Sequence, residues 1–323
     1  MTAAGRQNTK SRKVVIVGSG AVGSSFAYAL LQSGLADEIA LLDKNRDHAH
    51  GQALDLAHGL PFAPPAHVYA ADTADYADAN IIFVTAGAKQ APGESRLDLL
   101  QRNAGIIRQI MDDIDAAGSQ AIVVIVSNPV DVLTWVAHEH SGWPRERIIG
   151  SGTVLDTARF RYLLGEHCGV DSRNIHAYIL GEHGDSEVAA WSMTHIGGMH
   201  IDDYCTVCGK CGKEWREEQQ QVAEAVRESA YHIINYKGAT FYAVGLALVK
   251  IAGAILRHEH SVLTVSTMLA GEYGISDVCL SAPCVLARNG VERIMTAKLD
   301  HDEIAALQRS ADVLRQTIAG LDA

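Results

Sequence analysis

A doubly wound parallel α/β sheet, followed by a mixed α+β unit, is the architecture that two features of this chain predict. The first is a series of continuous Val/Ile/Leu-rich runs over residues 14–17, 39–42, 81–84 and 122–126. They lack the alternation of a half-exposed strand and suit parallel strands buried on both faces. The second is helical spacing between them, over residues 21–31 and 97–111, because strand, helix, strand order returns each strand parallel to the last by a right-handed crossover. Residues 148–149 add a further short strand. Beyond it, helical stretches over 154–166, 217–235 and 240–256 surround short β-rich pieces at 175–180 and 261–269. Asp300 and Glu303 stand in capping-box spacing, which starts the terminal helix near His301. The expected units are 1–150, with a polar segment over 1–12, and 151–323, and no internal repeat appears.

With 323 residues and 48% hydrophobic content, the chain can bury one large core or two smaller ones. Lys and Arg number 27 against 38 Asp and Glu, a formal charge of −11, which argues against nucleic acid or an anionic membrane as a general partner. A small anionic ligand would need a local arginine pocket. Residues 1–13 hold no apolar core of signal-peptide length, and no later apolar run spans a bilayer. A soluble cytoplasmic protein is expected. The spacing of Cys205, Cys208 and Cys211 could collect zinc, yet no second pair of ligands is obvious. These three are read as thiols in a surface loop, and no metal is assigned.

The first apolar run leads straight into Gly18-Ser19-Gly20-Ala21-Val22-Gly23. Here Gly18 permits a tight turn, Gly20 lets the backbone approach a pyrophosphate, and Gly23 allows helix to pack closely on strand. Amides at the helix start meet the phosphate charge. Asp43 ends the second run 20 residues after Gly23, where a carboxylate would accept bonds from the adenosine ribose hydroxyls and repel a 2′-phosphate. NAD is therefore favoured over NADP in a Rossmann-type domain, the alternative being an Asp that only caps the next turn.

Gly181-Glu182-His183-Gly184-Asp185 sets an imidazole between two glycines, and histidine is the usual proton donor near neutral pH. Upstream, Asp156 would orient that imidazole and Arg159 offers a fork to a substrate carboxylate. Taken alone, His183 could equally be a turn histidine bonded to backbone. The polar stretch from Thr85 to Arg96, hinged by Gly87 and Gly93, is long enough for a lid that excludes water, or for a plain solvated loop.

Together these residues resemble the lactate/malate dehydrogenase family from about Lys13 to about Ala319, with Ser127-Asn128-Pro129-Val130-Asp131 and Lys237-Gly238-Ala239-Thr240 as further pieces of the match. The resemblance implies reversible, NADH-dependent reduction of pyruvate to L-lactate. It makes His183 the proton donor and acceptor, Asp156 its partner, Arg159 the substrate-carboxylate clamp and Arg96 the lid residue that polarises the carbonyl. Asn128 and Thr240 become substrate and nicotinamide contacts. Gly18, Gly20, Ala21, Val22, Gly23, Asp43, Thr85, Ala86, Gly87, Ser127 and Asn128 become cofactor contacts. Gln90 stands where malate dehydrogenases of the family carry an Arg, and a neutral amide there suits the pyruvate methyl rather than a second carboxylate. Malate or another 2-hydroxy acid is the alternative substrate.

Arg161 and His176 match positions where bacterial members bind fructose 1,6-bisphosphate between subunits, although an interface ion pair would use the same residues. A homotetramer, allosteric control and a place in glycolysis and fermentation are further implications. From another class, a dinucleotide-binding protein without turnover would keep the fold, but it has no need of His183 and Arg96. A methyltransferase explains the glycines and leaves the second half unexplained.

Overall fold

The computed structural model describes residues 11–89, 93–210 and 215–321. Gln90 and Cys211 lie outside them. Six parallel strands form the first part of one sheet: β1 (Lys13–Val17), β2 (Glu38–Leu42), β3 (His67–Ala70), β4 (Ile81–Val84), β5 (Ile122–Ile125) and β6 (Ile148–Gly150). Three antiparallel strands, β7 (Ser261–Ala270), β8 (Ser276–Ala287) and β9 (Gly290–Ile294), continue it, in the order β9-β8-β7-β6-β5-β4-β1-β2-β3. The second half of the chain therefore shares the sheet of the first, through Gly150 beside Ser266.

The unbroken apolar runs divide by period two, as strand geometry requires. Val15, Val17, Ile82, Val84, Val123 and Ile125 enter one core, and Val14, Ile16, Ile81, Phe83, Ile122 and Val124 enter the other. On the first face pack α3 (Arg96–Ala116), α4 (Val130–Ser141) and the terminal α9 (His301–Ala319), and on the second α1 (Ala21–Ser33) and α8 (Tyr242–Leu256). A third, smaller core joins Phe160 and Leu164 of α5 (Val154–Cys168) to Ile201 and Cys205 of α6 (Ile201–Cys208) and Val226 of α7 (Trp215–Lys237). Among the described residues no helix is long and apolar enough to cross a membrane.

Several elements differ from the sequence reading for physical reasons. The helix α2 (Arg46–His58) buries only Ala49 and Ala53, so its apolar periodicity is faint. In α4 nearly every residue from Val130 to Ala137 is buried, which erases the amphipathic pattern. Pro283 sits inside β8, where proline usually argues against a strand. Residues 175–180 form two strands of two residues each, Ile175–His176 and Ile179–Leu180. Cys205 and Cys208 lie on α6 rather than in a loop, and Cys205 is buried.

Close approach at Gly23 fixes how α1 leaves β1. A Cβ there would stand 1.9 Å from the Gly18 carbonyl oxygen and 2.8 Å from Thr85 Oγ1. Gly23→Ala is expected to cost about 1–3 kcal/mol by overpacking, seen as a melting temperature several degrees lower; an unchanged melt would show that α1 shifts freely.

Candidate active site

Strands β4 and β1 are neighbours in space, but their connections run to opposite sides, which is the switch point where α/β sheets open a crevice at the strand carboxyl ends. Gly18, at φ 95°, turns the chain out of β1 against the Ala86 backbone, while a Cβ on Gly20 would meet nothing within 4 Å. Ala21 and Val22 begin α1 behind it. Asp43 accepts the Ser19 amide (2.8 Å) and the Asn45 amide (3.0 Å). Those bonds, opposing partial burial, hold its carboxyl below the usual range. The open face at Gly20, the helix start and a fixed carboxylate form a cradle that fits a dinucleotide. Thr85, Ala86 and Gly87 follow β4, and Ser127 and Asn128 follow β5, so all five line the same end of the sheet. The Ser127 hydroxyl donates to the carbonyls of Val84 and Ala86 and Thr85 Oγ1 to that of Gly18, which ties these loops to the glycine turn.

Beside that cradle is a cleft of about 720 Å³ lined by Arg96, Asn128, Asp156, Arg159, His183 and Glu187, with Arg227 and Tyr231 of α7 opposite. The first turn of α5 supplies Asp156. Its start is pinned by Thr153, whose amide donates to Ser281 Oγ (3.0 Å) and whose hydroxyl donates to the Ile179 carbonyl (2.5 Å). The His183 turn is pinned from three sides: Gly181 exchanges two backbone bonds with Ser281 (2.9 Å each), the Glu182 amide donates to Ser310 Oγ, and the His183 amide donates to Asp131 Oδ2 (2.7 Å).

These anchors bring three side chains from two segments, α5 and the His183 turn, into one array. His183 Nδ1–H donates to Asp156 Oδ2 (2.5 Å) and Arg159 Nη1 donates to Asp156 Oδ1 (2.7 Å). Each carboxylate oxygen thus carries one cation. Burial alone would raise the Asp156 carboxyl, but His183 and Arg159 hold it low. Burial likewise disfavours the His183 cation; the Asp156 charge and hydrogen bond, then Asp131 and Glu187, overcome this and raise the imidazole to about 9. The bond at Nδ1 fixes the tautomer and leaves Nε2 as the nitrogen that can exchange a proton. Arg159 Nη2 is buried and has no hydrogen-bond partner among the described residues. A buried orphan guanidinium nitrogen is costly unless an anion completes it, and a ligand carboxylate is the group that fits.

Arg96 heads α3 rather than ending the loop, and stays exposed at the cleft mouth. Thr240, half-buried between α7 and α8, is not among the residues that line the cleft. Arg161 donates its Nε to the Ala177 carbonyl (3.0 Å) and stacks on Tyr178, while His176 is exposed on its short strand. Sequence reasoning missed Glu187. Its carboxyl is buried in the cleft wall, Oε1 has no partner among the described residues, and burial with the Asp156 charge pushes it up to about 8. The only sequence signal is an acid in front of the apolar pair Val188-Ala189, in a segment short enough to look like a loop.

Comparison with known proteins matches residues 12–150 to the lactate/malate dehydrogenase NAD-binding domain and residues 153–322 to the lactate/malate dehydrogenase α/β C-terminal domain. The chain belongs to the lactate/malate dehydrogenase family. The L-lactate dehydrogenase of Treponema denticola is 59% identical over 97% of this chain and 99% of its own length. That of a Thermoanaerobacter species is 52% identical over 96% and 99%. Among solved structures, the minor L-lactate dehydrogenase of Enterococcus mundtii in its ligand-bound form superposes with a TM-score of 0.94 at 42% identity, over 97% of this chain and 99% of that one.

Removing the neighbouring charges tests the electrostatics directly. In an NMR titration of the His183 ring, Asp156→Asn should bring its pKa from about 9 back toward the ordinary histidine range, and Glu187→Gln should lower it by a smaller step. No movement in Asp156→Asn would refute the pairing.

Proposed function

We propose that this chain catalyses the reversible, NADH-dependent reduction of pyruvate to L-lactate. The observation that carries the reading is the orphan Nη2 of Arg159 beside the Asp156–His183 pair, because it supplies a carboxylate anchor next to a proton donor. The family match and relatives at 59% and 52% identity, both L-lactate dehydrogenases, support it. The Gly18–Gly23 turn and Asp43 would hold NADH, which would supply the hydride.

The side chains do the rest. Arg159 takes the pyruvate carboxylate and so turns the carbonyl toward His183. As negative charge grows on the carbonyl oxygen, His183 Nε2 delivers its proton and the Arg96 cation stabilises the same oxygen, both more strongly in the transition state than in the ground state. Asp156 holds the ring and favours its charged form without taking the proton. In the oxidation direction neutral His183 accepts the hydroxyl proton. Residues 85–96 close over the ligand and exclude water. Gln90 meets the methyl group, where an oxaloacetate carboxylate would lose water without gaining a counter-ion.

Finer features belong to the same proposal. The division lies at residue 150, between an NAD-binding domain and a substrate domain. Asn128 and Thr240 contact substrate and nicotinamide, the latter once the loop and cofactor are in place. The enzyme works in the cytoplasm, in glycolysis and fermentation, as a homotetramer. Fructose 1,6-bisphosphate bridges Arg161 and His176 of paired subunits and favours the active arrangement.

Optical NADH oxidation with pyruvate and oxaloacetate, each with and without the bisphosphate, tests these statements together. Pyruvate should be preferred, Gln90→Arg should raise the oxaloacetate-to-pyruvate ratio by about tenfold or more, and His183→Ala should lose about 10²–10⁴-fold in kcat while still binding NADH. Oxaloacetate preference would make this a malate enzyme. No oxidation of NADH with either acid would favour a binding protein. An unchanged pyruvate KM with the bisphosphate would reduce Arg161 and His176 to interface residues.

A further inference from the structure

At the end of the sheet away from the catalytic cleft, three local departures from regular backbone meet at one spot. His258 follows α8 in a left-handed conformation (φ 54°), and the Glu259 amide bonds back to the Ala254 carbonyl (3.0 Å). Glycine is the usual occupant of such a helix-end position. His260, two residues on and just before β7, is left-handed as well (φ 53°), and no helix end requires that. Across the sheet, Val285 of β8 pairs with Arg293 and Leu286 with Val291, so Glu292 is the extra residue of a β-bulge in β9. Bulges re-aim a side chain. The result is a cluster of exposed side chains in which the two imidazole rings lie 4.2 Å apart and Glu292 Oε2 is 3.2 Å from His260 Nε2. One ligand atom from each of the three residues lies within 4.8 Å of the others.

We propose that His258, His260 and Glu292 bind one divalent transition-metal ion of the zinc class. Two imidazoles and one carboxylate suit zinc, cobalt, nickel or copper, whereas magnesium and calcium select oxygen donors. Tetrahedral zinc with ligands at about 2.0–2.2 Å sets neighbouring donor atoms roughly 3.3–3.6 Å apart, close to the His260–Glu292 distance already present. An ion pair between His260 and Glu292 explains that one distance alone. It does not account for the second imidazole set directly beside the first. His258 Nδ1 accepts the Arg288 amide (3.2 Å), so metal binding exchanges one long hydrogen bond for a coordinate bond. The ion would tie the end of α8 and the start of β7 to β9, which joins the sheet through β8 and through the Val291 amide on the Glu146 carbonyl (3.0 Å), with water in the fourth position.

Cobalt(II) added to chelator-treated, full-length protein tests the site, because its spectrum distinguishes ligand types. One ion per chain should bind with visible d–d absorption, no thiolate charge-transfer band, and a rise in melting temperature. His260→Ala and Glu292→Gln should each weaken binding at least tenfold and abolish that rise, with far-ultraviolet circular dichroism unchanged to show that the variants fold. Absence of binding, binding undiminished in both folded variants, or a thiolate band accounting for all bound cobalt would overturn the proposal.

Discussion

A carboxylate almost wholly removed from water must be neutralised or it destabilises everything around it. Asp156, whose side chain is 3% exposed, meets that requirement with one cation on each oxygen. Its position therefore dictates where His183 and Arg159 can stand, and the surrounding fold works to keep the three in register. Thr153 locks the start of α5 to β8 and to Ile179; Ser281 and Ser310 lock the His183 turn to β8 and α9; Asp131 locks it to α4. Both halves of the chain contribute to this framework. The sheet that runs from β3 to β9 without interruption gives it a common base.

The same array explains how an acidic chain can take an acidic substrate. A charge of −11 repels anions at long range, but Arg96, Arg159 and Arg227 line one cleft with the His183 cation. Glu187 adds a second buried carboxyl to that wall. At a pKa of about 8 it is mostly neutral near pH 7, so the cleft keeps its positive character while the anchoring charge stays on Asp156.

Much of this was legible in the sequence, and the reason is local constraint. Gly18 and Gly23 each answer a steric demand a few residues wide, visible as a clash for a Cβ at both positions. Asp43, the buried runs and the Asp300–Glu303 cap are equally local. What escaped depends on distant partners. The acid at 187 stands out only because α5 and α7 surround it, α4 is helical despite being buried on all sides, and Pro283 is tolerated because it lies just past the end of the β9 ladder, where only its carbonyl is used, by the Met295 amide. Arg96 belongs to α3 because Ser95 and Asp98 form the capping box that starts the helix there, one residue ahead of where the apolar spacing begins at Leu97.

If the Asp156–His183 pair is the proton donor and acceptor, one ionisation must control both reaction directions with opposite sign. The most direct measurement is kcat/KM against pH for pyruvate reduction and for lactate oxidation at saturating cofactor, since both then report the enzyme before it binds the acid. A raised pKa means that the imidazolium is present below it and lost above it. Reduction should therefore fall, and oxidation rise, through a common midpoint near 9. Limbs that share a sign, or a midpoint at the ordinary histidine value, would contradict the account.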